Sequence, residues 1–125
     1  MKKMILAAVL SLGTLATPAW ASGPGEKYAH FEAKPSETLD QAVANFSEYN
    51  TKLQAILDGA VSDGDMADVH QLTYTLETAL AKMNEEMGKL AETLEEVHQA
   101  SEKLDREGVI KHGKAYLETS RKVVK

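Results

Sequence analysis

The chain has 125 residues, no cysteine, and 19 acidic against 14 basic side chains, which gives a formal net charge of −5. The absence of cysteine excludes disulfide bonds, a thiolate metal site and a cysteine nucleophile. The negative charge argues against nucleic acid and anionic membrane surfaces as partners.

The first 21 residues have the pattern of a cleavable secretory signal. A positive start at Lys2 and Lys3 precedes an apolar stretch over residues 4–10 and a small-residue run with an A-x-A site that ends at Ala21. We expect cleavage after Ala21 and export to the periplasm. No second apolar stretch approaches the roughly 20 residues of a membrane span, so we expect no membrane association after cleavage.

Residues 22–35 are predicted to form an irregular arm, because Gly, Pro and charged residues dominate and no hydrophobic period appears. Tyr28, His30 and Phe31 interrupt this arm, and we expect these rings to dock it onto the domain; a lid that grips a ligand is the alternative. The remaining residues, 36–125, are predicted to form one helical domain, because a chain of this length forms a single core.

The first predicted helix spans residues 36–58. Pro35 followed by Ser36 is typical of a helix start with serine as the N-cap, and Gly59 supplies a glycine stop. Apolar residues recur at steps of three and four along one side of this helix: Leu39, Val43, Phe46, Leu53, Ile56 and Leu57.

The next segment carries the longest apolar repeat of the chain, and its phase does not slip. Gly88 is the one breaker inside it, and a lone glycine costs about 1 kcal/mol without ending a helix. We therefore predict one helix over 65–104, roughly 60 Å long, preceded by a capping box from Ser62 to Asp65. The alternative is a four-helix bundle with a break near Gly88. The repeat comprises Leu76, Leu80, Met83, Met87, Leu90, Leu94, Val97, Ser101 and Leu104.

The last predicted helix spans residues 108–124 and is basic. Residues 106–125 carry six Lys or Arg against two Glu, so we expect this helix to pair, antiparallel, with the acidic second half of the long helix. The two short helices together match the long one in length and should meet end to end near Gly88. The small glycine would make room for that junction.

Each half of such a molecule is only two helices thick, which leaves apolar surface on both sides of the seam between the helices. An antiparallel homodimer would convert the two halves into four-helix layers and close the core. We therefore predict an all-α protein of three helices that forms a homodimer, with a further protein or small ligand as an unidentified partner.

Histidines are the candidate metal ligands, since imidazole binds zinc, copper and haem iron. His98 and His112 lie seven residues before and after Asp105, so a hairpin there brings them level on facing helices. With a nearby glutamate they form a candidate site of two histidines and one carboxylate. The alternative is a pair of half-buried, hydrogen-bonded histidines.

No catalytic motif accompanies these residues. The sequence contains no G-x-S-x-G, P-loop or H-E-x-x-H pattern, and its carboxylates fall on predicted solvated helix faces. We expect a non-enzymatic protein that acts by binding and has no cofactor. A metal- or haem-binding carrier is the alternative function.

Three segments carry a resemblance to a known family: FEAKP at 31–35, ANFSEYN at 44–50 and HQLTYTLE at 70–77. They resemble a family of small exported proteobacterial proteins of unknown function. The resemblance implies a Gram-negative periplasmic setting and a helical domain, and it supplies no catalytic residues.

The chain is also similar, more distantly, to the cytochrome b562 and cytochrome c-prime bundles, which are exported, helical and of similar size. It departs from them because no Cys-x-x-Cys-His motif is present to attach a haem. In addition, no Met lies in the first predicted helix to serve as an axial ligand.

Overall fold

A computed structural model of the protein describes residues 31–124. The predicted signal peptide at 1–21 and the first part of the arm, including Tyr28 and His30, lie outside the described residues. Within residues 31–124, no helix combines the length and apolar character that a membrane crossing requires.

The described residues form three α-helices: α1 (Leu39–Leu57), α2 (Asp63–Glu102) and α3 (Arg106–Val123). This confirms the predicted all-α arrangement of one long central helix between two shorter ones. Each short helix packs mainly against α2.

The long helix α2 runs for 40 residues without interruption, so the alternative break near Gly88 is wrong. Ion pairs one turn apart bridge the glycine region: Lys82 Nζ lies 2.9 Å from Glu86 Oε1, and Lys89 Nζ lies 2.5 Å from Glu85 Oε1. Opposite charges four residues apart stabilise a helix, and these pairs offset the conformational cost of the glycine.

The first helix begins at Leu39, three residues later than predicted, with Thr38 as its N-cap. Ser36 is therefore not the cap. The side-chain amide of Asn45 donates hydrogen bonds to the Ser36 hydroxyl and to the Pro35 carbonyl, each at 3.0 Å. Asn45 and Ser36 are buried, so this amide holds the serine against the side of α1 and the next hydroxyl residue caps the helix.

The other two helices begin with side-chain caps that fix the turns. The Asp65 N–H donates to the Ser62 hydroxyl at 3.2 Å, and the Ser62 N–H donates to the Asp65 carboxylate at 2.8 Å, which confirms the predicted capping box. At α3, the Gly108 N–H donates to the Asp105 carboxylate at 3.0 Å. These bonds satisfy backbone N–H groups that have no partner within the helix.

The two short helices meet over the middle of α2, as their lengths predicted. The Lys122 ammonium lies 2.8 Å from the Asp40 carboxylate, and Lys82 and Glu86 of α2 line the same small cavity. A Cβ placed on Gly88 would meet no atom within 4 Å. The expectation that this glycine makes room for the junction is therefore wrong.

The basic α3 packs against the second half of α2, but its ion pair differs from the one predicted. Among the described residues, the ion pair that joins α3 to another helix is Lys122 to Asp40 of α1, rather than one to a glutamate of α2. Apolar packing, and not charge pairing, therefore holds α3 on α2.

The core is thin along the whole molecule. In the described part of the chain, Ala42 and Ala79 are the core residues with no exposed surface, and α3 contributes no buried residue. The remaining hydrophobic core residues keep a small exposed fraction: Leu39, Leu72, Leu76, Leu90 and Ala100.

Candidate interaction surface

Residues 31–38 form the described part of the arm, which covers one side of the seam between α1 and α2. The Lys34 N–H donates to the hydroxyl of Thr75, a buried residue of α2, at 3.0 Å. Phe31 lines a groove with Tyr49 and Ile56 of α1, although 41% of Phe31 stays exposed. This side of the molecule is therefore partly closed by the chain itself.

Charged groups reinforce the attachment of the arm to α1. The Glu48 carboxylate lies 2.9 Å from Lys34 Nζ and 2.8 Å from Lys52 Nζ, and Lys52 Nζ lies 4.2 Å from the centre of the Tyr49 ring. Hydrogen bonds from Lys52 and then from Lys34 lower the pKa of Glu48 to about 2.

A second charge network lies at the junction of α1 and α3. Hydrogen bonds from Lys82 and then Lys89 lower the pKa of Glu86 to about 2. The carboxylate of Asp40 raises the pKa of Lys122, and Glu86 adds to that effect. The middle of α2 and the facing helix ends therefore form one group of alternating charges, in which the side chains of Lys82 and Glu86 are 19% and 21% exposed.

The uncovered side of the molecule presents a row of six residues along α2, one every seven residues, of which four are apolar. Met66, Leu80 and Leu94 are 53%, 42% and 46% exposed, and Met87 is half-buried. Successive residues seven apart lie close together on the helix surface, with a drift of about 20° per step along a straight helix. We call this row the α2 stripe, and it comprises Met66, Thr73, Leu80, Met87, Leu94 and Ser101.

The last helix extends the apolar surface beside the α2 stripe. Ile110, Leu117 and Val124 are exposed and again spaced by seven residues. Leu117 and Val124 line a groove together with Met87 of the stripe, so these two rows lie side by side.

The first helix contributes to the same side at the other half of α2. On α1, Val43 and Leu57 lie on the edge of the helix opposite Tyr49 and Ile56, which face the arm. We use the name apolar face for the α2 stripe together with its flanking exposed residues: Leu57, Ile110, Leu117 and Val124.

Exposed apolar side chains also mark both tips of the molecule. At one tip, Val61 in the turn between α1 and α2 is exposed. At the other tip, Leu104 in the turn between α2 and α3 is 80% exposed and has a positive φ of 55°. A shallow groove next to Leu104 is lined by Ser101, Val109 and Ile110.

The apolar repeat in the sequence includes residues of the α2 stripe, but it does not indicate which of its residues are exposed and which are buried. The predicted repeat has two columns of apolar residues: Leu76 and Leu90 belong to one, and Leu80 and Leu94 to the other. In the structure the first pair is buried and the second pair is exposed.

The candidate metal ligands His98 and His112 lie on α2 and α3. His98 Nε2 lies 3.4 Å from Glu102 Oε1 on the same helix, with both side chains exposed. Over the described part of the chain, no group of three His, Asp or Glu side chains is arranged to hold a metal ion. A metal site at His98 and His112 stays a prediction, which calorimetric titration of the His98→Ala variant and the wild type with zinc and copper tests.

Comparison with known proteins gives a family but no function. No curated protein and no solved structure matches the chain. The model of a family of unknown function, DUF6746, matches residues 1–125. The chain therefore belongs to the DUF6746 family.

Proposed function

We propose that this protein is a non-enzymatic interaction protein of the periplasm that pairs with a second copy of itself through the apolar face. The observation that carries this proposal is the α2 stripe with its flanking exposed side chains. Exposed apolar side chains grouped on one side of a small protein are typical of an interaction site. Export is supported by the signal pattern of residues 1–21 and by the resemblance to small exported proteobacterial proteins.

The spacing of the α2 stripe supports a second copy as the occupant. Leu80 and Met87 lie at equal distances from the point between residues 83 and 84, and so do Met66 and Ser101. A twofold axis at that point sets two copies antiparallel, with each Leu80 near the partner's Met87. The central contact of Leu80 with the partner's Met87 is apolar on both sides of the axis, as a twofold-symmetric contact requires, whereas Met66 falls opposite the partner's Ser101.

Charge complementarity supports the same arrangement. The antiparallel register lays α3 of one copy beside α1 of the other. Residues 106–125 carry six Lys or Arg against two Glu, whereas residues 36–58 carry four Asp or Glu against one Lys. The opposite net charges of these two segments favour the antiparallel register over the parallel one. Each end of the dimer is then a four-helix layer with a closed core.

The test is the mass of the protein in solution. The full chain is expressed with its own first 21 residues and purified from the periplasm, and mass spectrometry is expected to find Ser22 as the first residue. Light scattering at micromolar concentration is expected to give twice the mass of the chain. Leu80→Glu places a charge in the α2 stripe near the axis and is expected to give a monomer of unchanged helix content.

The matched control is Ala81→Glu, which adds the same charge one residue along α2, at an exposed position off the α2 stripe. This variant is expected to remain dimeric. A wild-type monomer would contradict the proposal. A wild-type dimer that Leu80→Glu leaves intact would also contradict it, because another surface would then hold the copies together.

A further inference from the structure

We infer that Leu104 is the anchor of this self-association: a leucine held out from the end of α2 so that its side chain enters an apolar site on the second copy. The inference rests on the proposed function and adds to it the residue that fixes the register. It begins from two unfavourable properties that Leu104 combines.

The first property is backbone strain. Leu104 has a φ of 55°, and it is the non-glycine residue with positive φ in the described part of the chain. In this left-handed region the Cβ of an L-residue crowds the backbone, so glycine and asparagine are the usual occupants. A leucine, with its larger side chain, is strained at such a position.

The second property is exposure. Leu104 is 80% exposed, the highest value among the large hydrophobic residues of the described chain. Its side chain therefore gains almost nothing from the fold of its own copy. The strained backbone of this exposed leucine is the observation from which we infer a role outside its own fold.

The turn itself does not need a leucine. The Leu104 N–H donates to the Ser101 carbonyl at 3.1 Å, and the Asp105 N–H donates to the Ala100 carbonyl at 2.9 Å. These two backbone bonds form a Schellman motif, whose left-handed residue is ordinarily glycine. Because both bonds come from the backbone, a glycine at position 104 would make the same turn without strain.

The antiparallel register supplies a site for the side chain. A twofold axis between residues 83 and 84 brings Leu104 opposite the partner's Asp63, at the tip where α1 turns into α2. That tip exposes the apolar side chains of Leu57, Val61 and Met66. By the twofold symmetry, each dimer contains this contact twice.

The test uses Leu104→Gly, because this variant is expected to stabilise the monomer and to weaken the dimer. Removing the strain is expected to raise the thermal midpoint of the monomer, measured at a concentration where both proteins are dissociated. Removing the side chain is expected to raise the dimer Kd about tenfold or more, measured by analytical ultracentrifugation. Leu104→Met, which keeps an apolar side chain, is expected to keep the dimer Kd within about threefold.

A variant of the opposite tip completes the test. Val61→Glu is expected to weaken the dimer as Leu104→Gly does, but without raising the thermal midpoint of the monomer. A dimer that Leu80→Glu disrupts and Leu104→Gly leaves at wild-type Kd would overturn this inference and leave the proposed function standing. A wild-type protein that is monomeric throughout would overturn both.

Discussion

The backbone N–H of Lys34 donates a hydrogen bond of 3.0 Å to the Thr75 hydroxyl, across 41 residues of sequence. This bond ties the arm to the long helix and gives the two sides of the α1–α2 seam different characters. The arm occupies the side of Thr75, whereas the α2 stripe lies on the side that remains open.

Replacing this hydroxyl tests how firmly the arm is attached. Thr75→Val keeps the β-branched shape but leaves the Lys34 N–H without its acceptor, so the free energy of unfolding should fall by about 1 kcal/mol. Urea unfolding measures the change, and faster hydrogen exchange at the Lys34 amide localises it. The control is Thr78→Val, whose hydroxyl bonds within α2 to the Tyr74 carbonyl; an equal loss in both variants would contradict the prediction.

Two glycines should respond to alanine in opposite directions. Gly88 lies in the middle of α2 with open space where a Cβ would be, so Gly88→Ala should raise the free energy of unfolding by about 1 kcal/mol. At Gly108, a Cβ would collide with the Asp105 carboxylate and lie 3.0 Å from the Ala100 Cβ. Gly108→Ala should therefore destabilise the protein. Chemical denaturation of both alanine variants and the wild type measures the two changes in the free energy of unfolding.

The carboxylates with lowered pKa values predict an acid-dependent loss of stability. Lys82 and Lys89 lower the pKa of Glu86 from its ordinary value of 4.5 to about 2. Between these values the unfolded chain binds the proton and the folded chain does not. The contribution of the ion pairs is therefore full above pH 4.5 and is lost as the pH falls toward 2.

Urea midpoints measured from neutral pH down to about pH 2 test this prediction. Glu86→Gln should flatten the decline relative to Glu96→Gln, which removes a charge elsewhere on α2. Added salt should also reduce the decline, because Lys89 is exposed and Lys82 and Glu86 keep part of their surface in contact with solvent, where salt screens the ion pairs. A wild-type midpoint that stays constant through this range would contradict the assignment of the ion pairs.

The capping box at the start of α2 should contribute measurably to stability. Ser62→Ala removes the acceptor of the Asp65 N–H and should cost about 1 kcal/mol in the free energy of unfolding. Ser47→Ala makes the same chemical change at an exposed position inside α1 and should be close to neutral. A loss of equal size at both positions would argue against the capping box.

The sequence predicted the features that depend on neighbours along the chain. The capping box at Ser62 and the unbroken phase of the repeat across Gly88 are local signals, and they placed the long helix within two residues of its ends. The turn at Asp105 was predictable for the same reason. Three helices in the observed order follow from these signals alone.

The features that the sequence did not predict depend on contacts between distant residues. Ser36 fits the pattern of an N-cap, but the buried amide of Asn45 binds it, and Thr38 caps the helix instead. The pairing of Lys122 with Asp40 joins residues 82 positions apart. No local pattern encodes either choice, because each depends on how the helices pack.

The meeting of α1 and α3 has a mechanical consequence. With Asp40 beside Lys122, α3 and α1 lie end to end alongside α2, and the chain is interrupted between them. Bending at this junction is resisted by the continuous helix α2 and by its ion pair between Lys82 and Glu86. A circular permutant that joins the end of α3 to the start of α1, with new termini in the turn at 58–62, would make this second layer continuous. It would stiffen the molecule at the middle of α2.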